Sequence, residues 1–207
     1  MGNSNYKPEI LLEHSVLLKE EADKEKLKKI FEDDKNDEAN KVIVDFKLLF
    51  QARKDVPQNF YSKCNKKAPI VILLKARESE EVFGFYLGIE IETPTKYTEF
   101  KRKDLQCFFF SLNSQKRYEM KNKENLIIQF FSEENTNFMA IGNDFVLHKQ
   151  YLDKKLNSAI LKREFLIDQD NDLNLANTTN NDKFTVEDME AISVIYLLSE
   201  KNEFYIE

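Results

Sequence analysis

The sequence predicts an α+β fold, a two-sheet, mostly antiparallel β-sandwich with peripheral helices. Three observations carry that expectation. Short apolar runs recur from residue 70 onward, each separated from the next by polar turn residues. Helical i, i+3, i+4 spacing is confined to the first part of the chain. Phe occurs 17 times and Trp not at all, which suits a core that needs no polar partner for its aromatic rings.

The elements follow in order. Pro8 suits a first helical turn. Leu11, Ser15 and Leu18 share one helical face, and Leu27, Ile30 and Phe31 share another. Residues 19–26 between them are almost all charged, so one long helix or two short ones are expected. Residues 32–40 are acidic and bear Asn, like a linker. The predicted division is therefore a charged helical extension and linker over 1–41 and a folded domain over 42–207. Val44, Leu48, Leu49 and Ala52 predict a short amphipathic helix that stops before Pro57, with a further helical turn over 59–64.

After Pro69 the pattern becomes strand-like. Residues 70–74 are uninterruptedly apolar, as in a strand buried on both faces. Residues 82–91 hold Gly84 and Gly88, which predict bulges or close backbone approach. Residues 107–112, 126–131, 138–141 and 145–147 predict further strands, and 184–197 a last one. Residues 168–183, rich in Asn and Asp, read as a long exposed loop.

Composition narrows the function. The formal net charge is -6 and the isoelectric point is near 5.2, against the basic footprint of nucleic-acid binding. The densest basic run, Lys101-Arg102-Lys103, is flanked by Glu99 and Asp104 and reads as a solvated loop. Two cysteines without motif spacing suit a reducing compartment. No apolar stretch approaches the ~20 residues of a membrane span, and no apolar secretory core follows Met1. The expected location is cytoplasmic, with the cytoskeleton or cilium as the alternative.

No hydrolase elbow, Walker loop, dinucleotide fingerprint or zinc-ligand spacing is found, so no catalytic residue, metal ligand or cofactor is expected. Asp168-x-Asp170-x-Asp172 starts like a calcium loop, but Leu173 and Thr179 stand where Gly and a bidentate Glu are required. Gly2, ahead of Asn3 and Ser4, resembles an N-myristoylation start, with Tyr6 where Ser or Thr is wanted. A single acyl chain gives only weak, reversible anchoring and no stable insertion. Lys63, Lys66 and Lys67 surround Cys64, a setting that can lower a thiol pKa and makes Cys64 the candidate redox thiol.

Several segments, taken in order, resemble the TLDc domain of the oxidation-resistance proteins. Leu48-Leu-Phe-Gln-Ala-Arg-Lys-Asp55 is similar to the family's opening helix. Residues 60–64 with Ala68-Pro-Ile-Val-Ile-Leu-Leu-Lys75 resemble its F..KC...GPTL.L.K stretch. Val82-Phe-Gly-Phe-Tyr86 is similar to its FGGY strand, Phe108-Phe-Phe-Ser-Leu112 to FLFSL, and Phe138-Met-Ala-Ile-Gly142 to the LaIGGG turn. Phe184-Thr-Val-Glu-Asp-Met-Glu190 resembles the FT..DLEV ending. The likeness spans about residues 42–198. Departures are Ala68 and Phe85 in place of Gly, Asn143 after a single Gly142, and the missing tryptophans.

The resemblance implies a sandwich of two sheets and a protein-interaction role. Relatives dock on the vacuolar-type proton pump and modulate its assembly, so pump subunits are one expected partner. A structural place in a cytoskeletal or axonemal assembly is the alternative, and a peroxide scavenger using Cys64 a further one. The partner surface is expected to include Glu187, Asp188 and Glu190, with Glu187 and Asp188 turned to solvent while Val186 and Met189 turn inward. Leu27 and Phe31, on a helix too short to stand alone in water, supply the second expected contact.

Overall fold

The apolar run over 70–74 does form a strand that is buried along both faces, and the rest of the computed structural model is built out from it. Described are residues 12, 14–32, 41–56, 58–95, 99–104, 106–120, 124, 126–132, 134–142, 145–149, 158–160, 165–166 and 183–198. The expected loop over 168–183, its calcium-like start and Gly2 lie outside these residues, Lys183 excepted.

Among them the helices are α1 (Glu21–Glu32) and α2 (Gln58–Cys64). The strands are β1 (Lys41–Gln51), β2 (Ile70–Ala76), β3 (Val82–Leu87), β4 (Phe100–Lys103), β5 (Phe108–Ser111), β6 (Lys116–Met120) and β7 (Ile127–Phe130). They continue as β8 (Asn137–Ile141), β9 (Phe145–His148), β10 (Ser158–Ile160), β11 (Phe165–Leu166), β12 (Lys183–Phe184) and β13 (Val186–Leu198).

Sheet I runs in the order β1-β13-β2-β3-β5-β6-β11 and sheet II in the order β12-β10-β9-β8-β7-β4. Every ladder between them is antiparallel. The expected two-sheet sandwich is therefore present. Its inner core joins Ile72, Leu74, Phe83, Phe85, Phe109 and Met189 of sheet I to Ile128, Phe130, Phe138 and Phe145 of sheet II. Phe60 of α2 closes this core edge-to-face against Phe50 and Phe138, at centroid distances of 5.4 and 4.9 Å.

A second apolar layer covers the other face of sheet I. Leu12, Leu17, Leu18, Leu27, Ile30 and Phe31 pack there on Phe46, Val71, Leu73, Tyr86, Phe108, Phe110, Ile192 and Val194. Helix α1 turns its charged side away from the sheet, with ion pairs Lys24–Glu21, Lys26–Asp23 and Lys28–Glu25 at 3.0, 3.0 and 2.6 Å. Residues 12–32 thus lie against the sheet formed by the rest of the chain.

Three local expectations are corrected. The amphipathic helix drawn through Val44, Leu48, Leu49 and Ala52 is instead the 11-residue strand β1, paired with β13 from Lys41↔Leu198 to Gln51↔Glu190. Bulges between Ile43 and Asp45 and between Leu48 and Phe50 break its alternation. Phe46 consequently faces the α1 layer while Phe50 enters the inner core. The segment before α1 is a run of turns, not a helix: Ser15 N–H bonds to Leu12 O at 3.0 Å, and Leu18 N–H to Ser15 Oγ at 2.9 Å. The basic run 101–103 is strand β4 instead of a loop, held by buried Phe100. Its neighbour Asp104 is also buried, accepting from Gly88 N–H at 2.8 Å and Gln106 N–H at 2.9 Å.

Two glycines have specific work. A Cβ on Gly84 would stand 2.4 Å from Ile72 O and 2.8 Å from Phe110 Cζ, so β2 and Phe110 can close over β3 only with hydrogen there. Gly142 leaves β8 with φ 55°, a left-handed turn that glycine adopts freely.

Candidate functional site

The segment 187–190 was the expected partner surface, and its residues divide sharply. β13 has a register irregularity between Val186 and Asp188, so Val186 and Met189 both face the inner core, as expected. Asp188 and Glu190 are fully buried, and this corrects the solvent-facing position expected for Asp188. Glu190 is bonded to Ser15 and Val16 of the N-terminal segment, which sequence reading had set outside the domain. Only Glu187 stays partly open. Leu27 and Phe31 are buried as well, Phe31 meeting the rings of Tyr86 and Phe108 at 5.5 Å each.

Glu190 is the hub of the buried part. Its Oε2 accepts from Ser15 Oγ at 2.5 Å, and its Oε1 from Val16 N–H at 2.7 Å and Gln51 Nε2 at 2.6 Å. Gln51 Nε2 also reaches His14 O at 3.0 Å, while its buried Oε1 has no hydrogen-bond partner among the described residues. The carboxylate is thus satisfied by neutral donors, several from the N-terminal segment. Gln51 and Glu190 face each other across the β1–β13 ladder, which places the amide within reach.

Asp188 sits one step outward. Arg53 Nε lies 2.7 Å from its Oδ2, a charge contact poorly angled for a hydrogen bond, and Oδ1 accepts from Met189 N–H at 2.9 Å. Burial pushes its pKa up to about 6, against the pull of Arg53 and with help from Glu190 and Glu187. Glu187 shifts the other way, held down by its hydrogen bond to Lys75 at 2.9 Å and by Arg53 Nη2 at 3.1 Å.

This ion-paired rim continues along the β1–α2 turn. Burial raises the Asp55 pKa but is outweighed by Lys63 Nζ at 2.6 Å and by Gln51 N–H at 3.0 Å, leaving it lowered. Val56 stands next to it with 57% of its surface exposed. The corner therefore has a sealed interior that fastens the N-terminal segment, and a more open set of paired charges followed in the chain by one exposed apolar side chain. Sequence reading missed Ser15, Gln51 and Arg53. Their signal was present only in the pairing of β1 with β13, which the helix reading of 44–52 concealed.

Cys64 is the candidate redox thiol of the sequence reading, beside the expectation of no catalytic residue. It lies at the end of α2 inside the core, and burial pushes its thiol up to about 12, with the coulombic effect of Lys63 too small to reverse the shift. Cys107 is also fully buried. No helix among the described residues is long and apolar enough to cross a membrane.

Comparison with known proteins agrees with the architecture. The family model of the TLDc domain matches residues 12–195, starting within the segment that Glu190 holds. No curated protein matches the chain. A TLDc domain indicates a protein-interaction role of the oxidation-resistance type. With the match covering most of its length, the chain belongs to the TLDc-domain family.

Proposed function

We propose that this chain is a non-enzymatic docking domain that binds a large protein assembly, with subunits of the vacuolar-type proton pump as the first partner class. Family membership supports an interaction role. The pump is suggested by the resemblance of segments such as Val82-Phe-Gly-Phe-Tyr86 and Phe108-Phe-Phe-Ser-Leu112 to TLDc relatives that dock there. The observation that carries the docking reading is where reactive and accessible groups lie. The thiols are sealed in the core, Cys64 with its pKa near 12, whereas the β1–α2 corner presents exposed Val56 next in the chain to the ion-paired Asp55, together with the ion pairs that Glu187 makes with Arg53 and Lys75. A modest apolar anchor beside polar groups is how protein interfaces are commonly laid out.

Affinity capture from native lysate by the full 207-residue chain tests this. Pump subunits should be enriched, and Val56→Asp, which changes an exposed side chain, should lower their recovery without moving the melting temperature. Enrichment of tubulin or axonemal proteins with no pump subunit would replace this reading by a structural one. Peroxide turnover that Cys64→Ser abolishes would replace it by a catalytic one.

A further inference from the structure

Strand β4 closes one side of sheet II. Its ladder runs to β7 alone, from Phe100↔Phe130 to Lys103↔Ile127, and no second strand pairs with it among the described residues. In any strand, half of the N–H and C=O groups point to each side, so the side away from β7 offers open main-chain donors and acceptors. The extended residues 92–95 are anchored nearby, with Thr93 N–H and Oγ1 bonded to Asn65 Oδ1 at 3.1 and 3.2 Å. Arg102 Nη2 ties them to β4 through Glu92 Oε1 at 3.0 Å. Between them opens a groove of about 460 Å³, lined by 92–95 and 99–102 and by no residue of β7. That volume lies within the range of clefts that hold ligands.

The side chains define what fits. Phe100 is buried and Arg102 lies over its ring at 5.8 Å, so the two share one side of the strand, with Arg102 exposed at the edge. Lys101 and Lys103 alternate to the outer face, opposite Gln129 and the 44%-exposed Ile127. Lys101 and Arg102 have partners in Glu99 and Glu92 at 3.2 and 3.0 Å, in pairs open enough to water to exchange readily. Lys103 has no ion pair among the described residues. Lysines on an edge commonly serve to repel stray strands, and here they reject a second copy of β4, which would bring its own cations. They select an incoming strand of opposite charge.

We propose that the β4 edge is a docking site for an extended acidic segment of a partner protein, which pairs with β4 and extends sheet II by one strand. Glu or Asp at alternate positions of that segment would lie beside Lys101 and Lys103, with the residue between them beside Arg102 and the next one along beside Phe100. A nucleic acid is the poorer occupant. A sugar–phosphate backbone cannot continue the alternating N–H and C=O ladder of a strand edge, whereas an extended peptide can. This site deepens the docking reading and rests on it, at a surface separate from the Val56 corner.

The test uses fluorescence anisotropy with the full chain and the labelled peptide Thr-Glu-Val-Glu-Val-Glu-Thr. Compared with it are the Lys-for-Glu peptide, two versions N-methylated at alternate backbone positions, and an oligothymidylate of equal length. Saturable binding of the acidic peptide is expected. Methylation of one alternate set should weaken it about tenfold or more, a loss of roughly 1.4 kcal/mol, while the other set leaves it nearly unchanged. Lys101→Glu with Lys103→Glu should switch the preference to the Lys peptide at an unchanged melting temperature. Equal binding of both methylated peptides and the parent would overturn the proposal, as would tighter oligothymidylate binding or a charge-reversed variant with unaltered preference. The methylation arm needs only the native chain, so a misfolded variant does not rescue the idea. Failure here leaves pump capture and its Val56→Asp dependence to stand or fall separately.

Discussion

The Ser15 hydroxyl donates to Glu190 Oε2 over 2.5 Å, a bond between residues 175 apart in the chain. It joins a turn near the start of the described chain to the middle of the longest strand. Val16 N–H and Gln51 Nε2 complete the ring of donors around the same carboxylate. The fastening explains how a segment too short for a helix is held in one conformation.

Replacing Glu190 by Gln keeps the shape but turns one acceptor oxygen into a donor that faces other donors. Urea unfolding followed by far-UV circular dichroism should show a loss of about 3 kcal/mol, and Ser15→Ala a loss of about 1–2 kcal/mol, as for hydrogen bonds to buried charge. Changes within about 0.5 kcal/mol for both variants would show that the ring of donors does not hold the segment.

Asp188 makes stability depend on pH. Its folded pKa is raised to about 6 from 3.8, so the folded state binds its proton more tightly than the unfolded chain does. That contribution is fully present below about pH 4 and is lost as pH rises through about 6. Glu187 and Asp55, both lowered, act oppositely, which is why the comparison must be with Asp188→Asn. Between pH 7.5 and 4.5 the native chain should gain about 2 kcal/mol relative to that variant. A difference that stays flat with pH would refute the shift.

Phe31 sits among the rings of Phe46, Tyr86, Phe108 and Phe110, at centroid distances of 6.2, 5.5, 5.5 and 6.3 Å. Phe31→Ala should cost about 3–4 kcal/mol. Glu25→Ala, on the solvent side of the same helix, removes only an exposed ion pair with Lys28 and should stay within about 0.5 kcal/mol. Equal effects from the two changes would mean that α1 does not pack on sheet I.

Neither cysteine should react with Ellman's reagent at pH 8 while the chain is folded, since both thiols are buried and Cys64 titrates near 12. Both should react promptly in denaturing urea. Labelling of Cys64 in the native state would reopen the redox role.

Much of the sandwich was legible because its signals are local. The unbroken apolar run 70–74, Phe108-Phe-Phe, and the sequence around Gly84 each state their burial within a few residues. β1 was not legible, because its two bulges shift the alternation and let Phe46 and Phe50 serve different layers. A strand with an irregular period reads as a helix until its partner is known. β4 and β6 were missed for another reason: they are polar edge-side strands whose pairing, not their composition, makes them strands. The burial of Asp188 and Glu190 was not legible, since charged residues are ordinarily exposed. Only the distant Ser15 and Gln51 reveal why burial of Glu190 is tolerated, and Arg53 supplies the opposing charge beside the carboxylate of Asp188.

Strand β13 lies between β1 and β2, pairing Lys41↔Leu198 on one side and Ser193↔Ile70 on the other. During synthesis, β2 can pair with β3 as soon as Leu87 is made, but its other edge and the whole of β1 must wait until nearly all of the described chain has been made. Both carry long apolar stretches through that interval, and strand edges left open in this way invite pairing with other chains. Folding of sheet I is for this reason a late and non-local event, slow for its size. A shortened product ending before residue 186 would lack the strand that joins β1 to β2, leaving β1 unpaired and one edge of β2 open. Quality control in the cell would meet such a fragment as an aggregating species, not as a weakened version of the same domain.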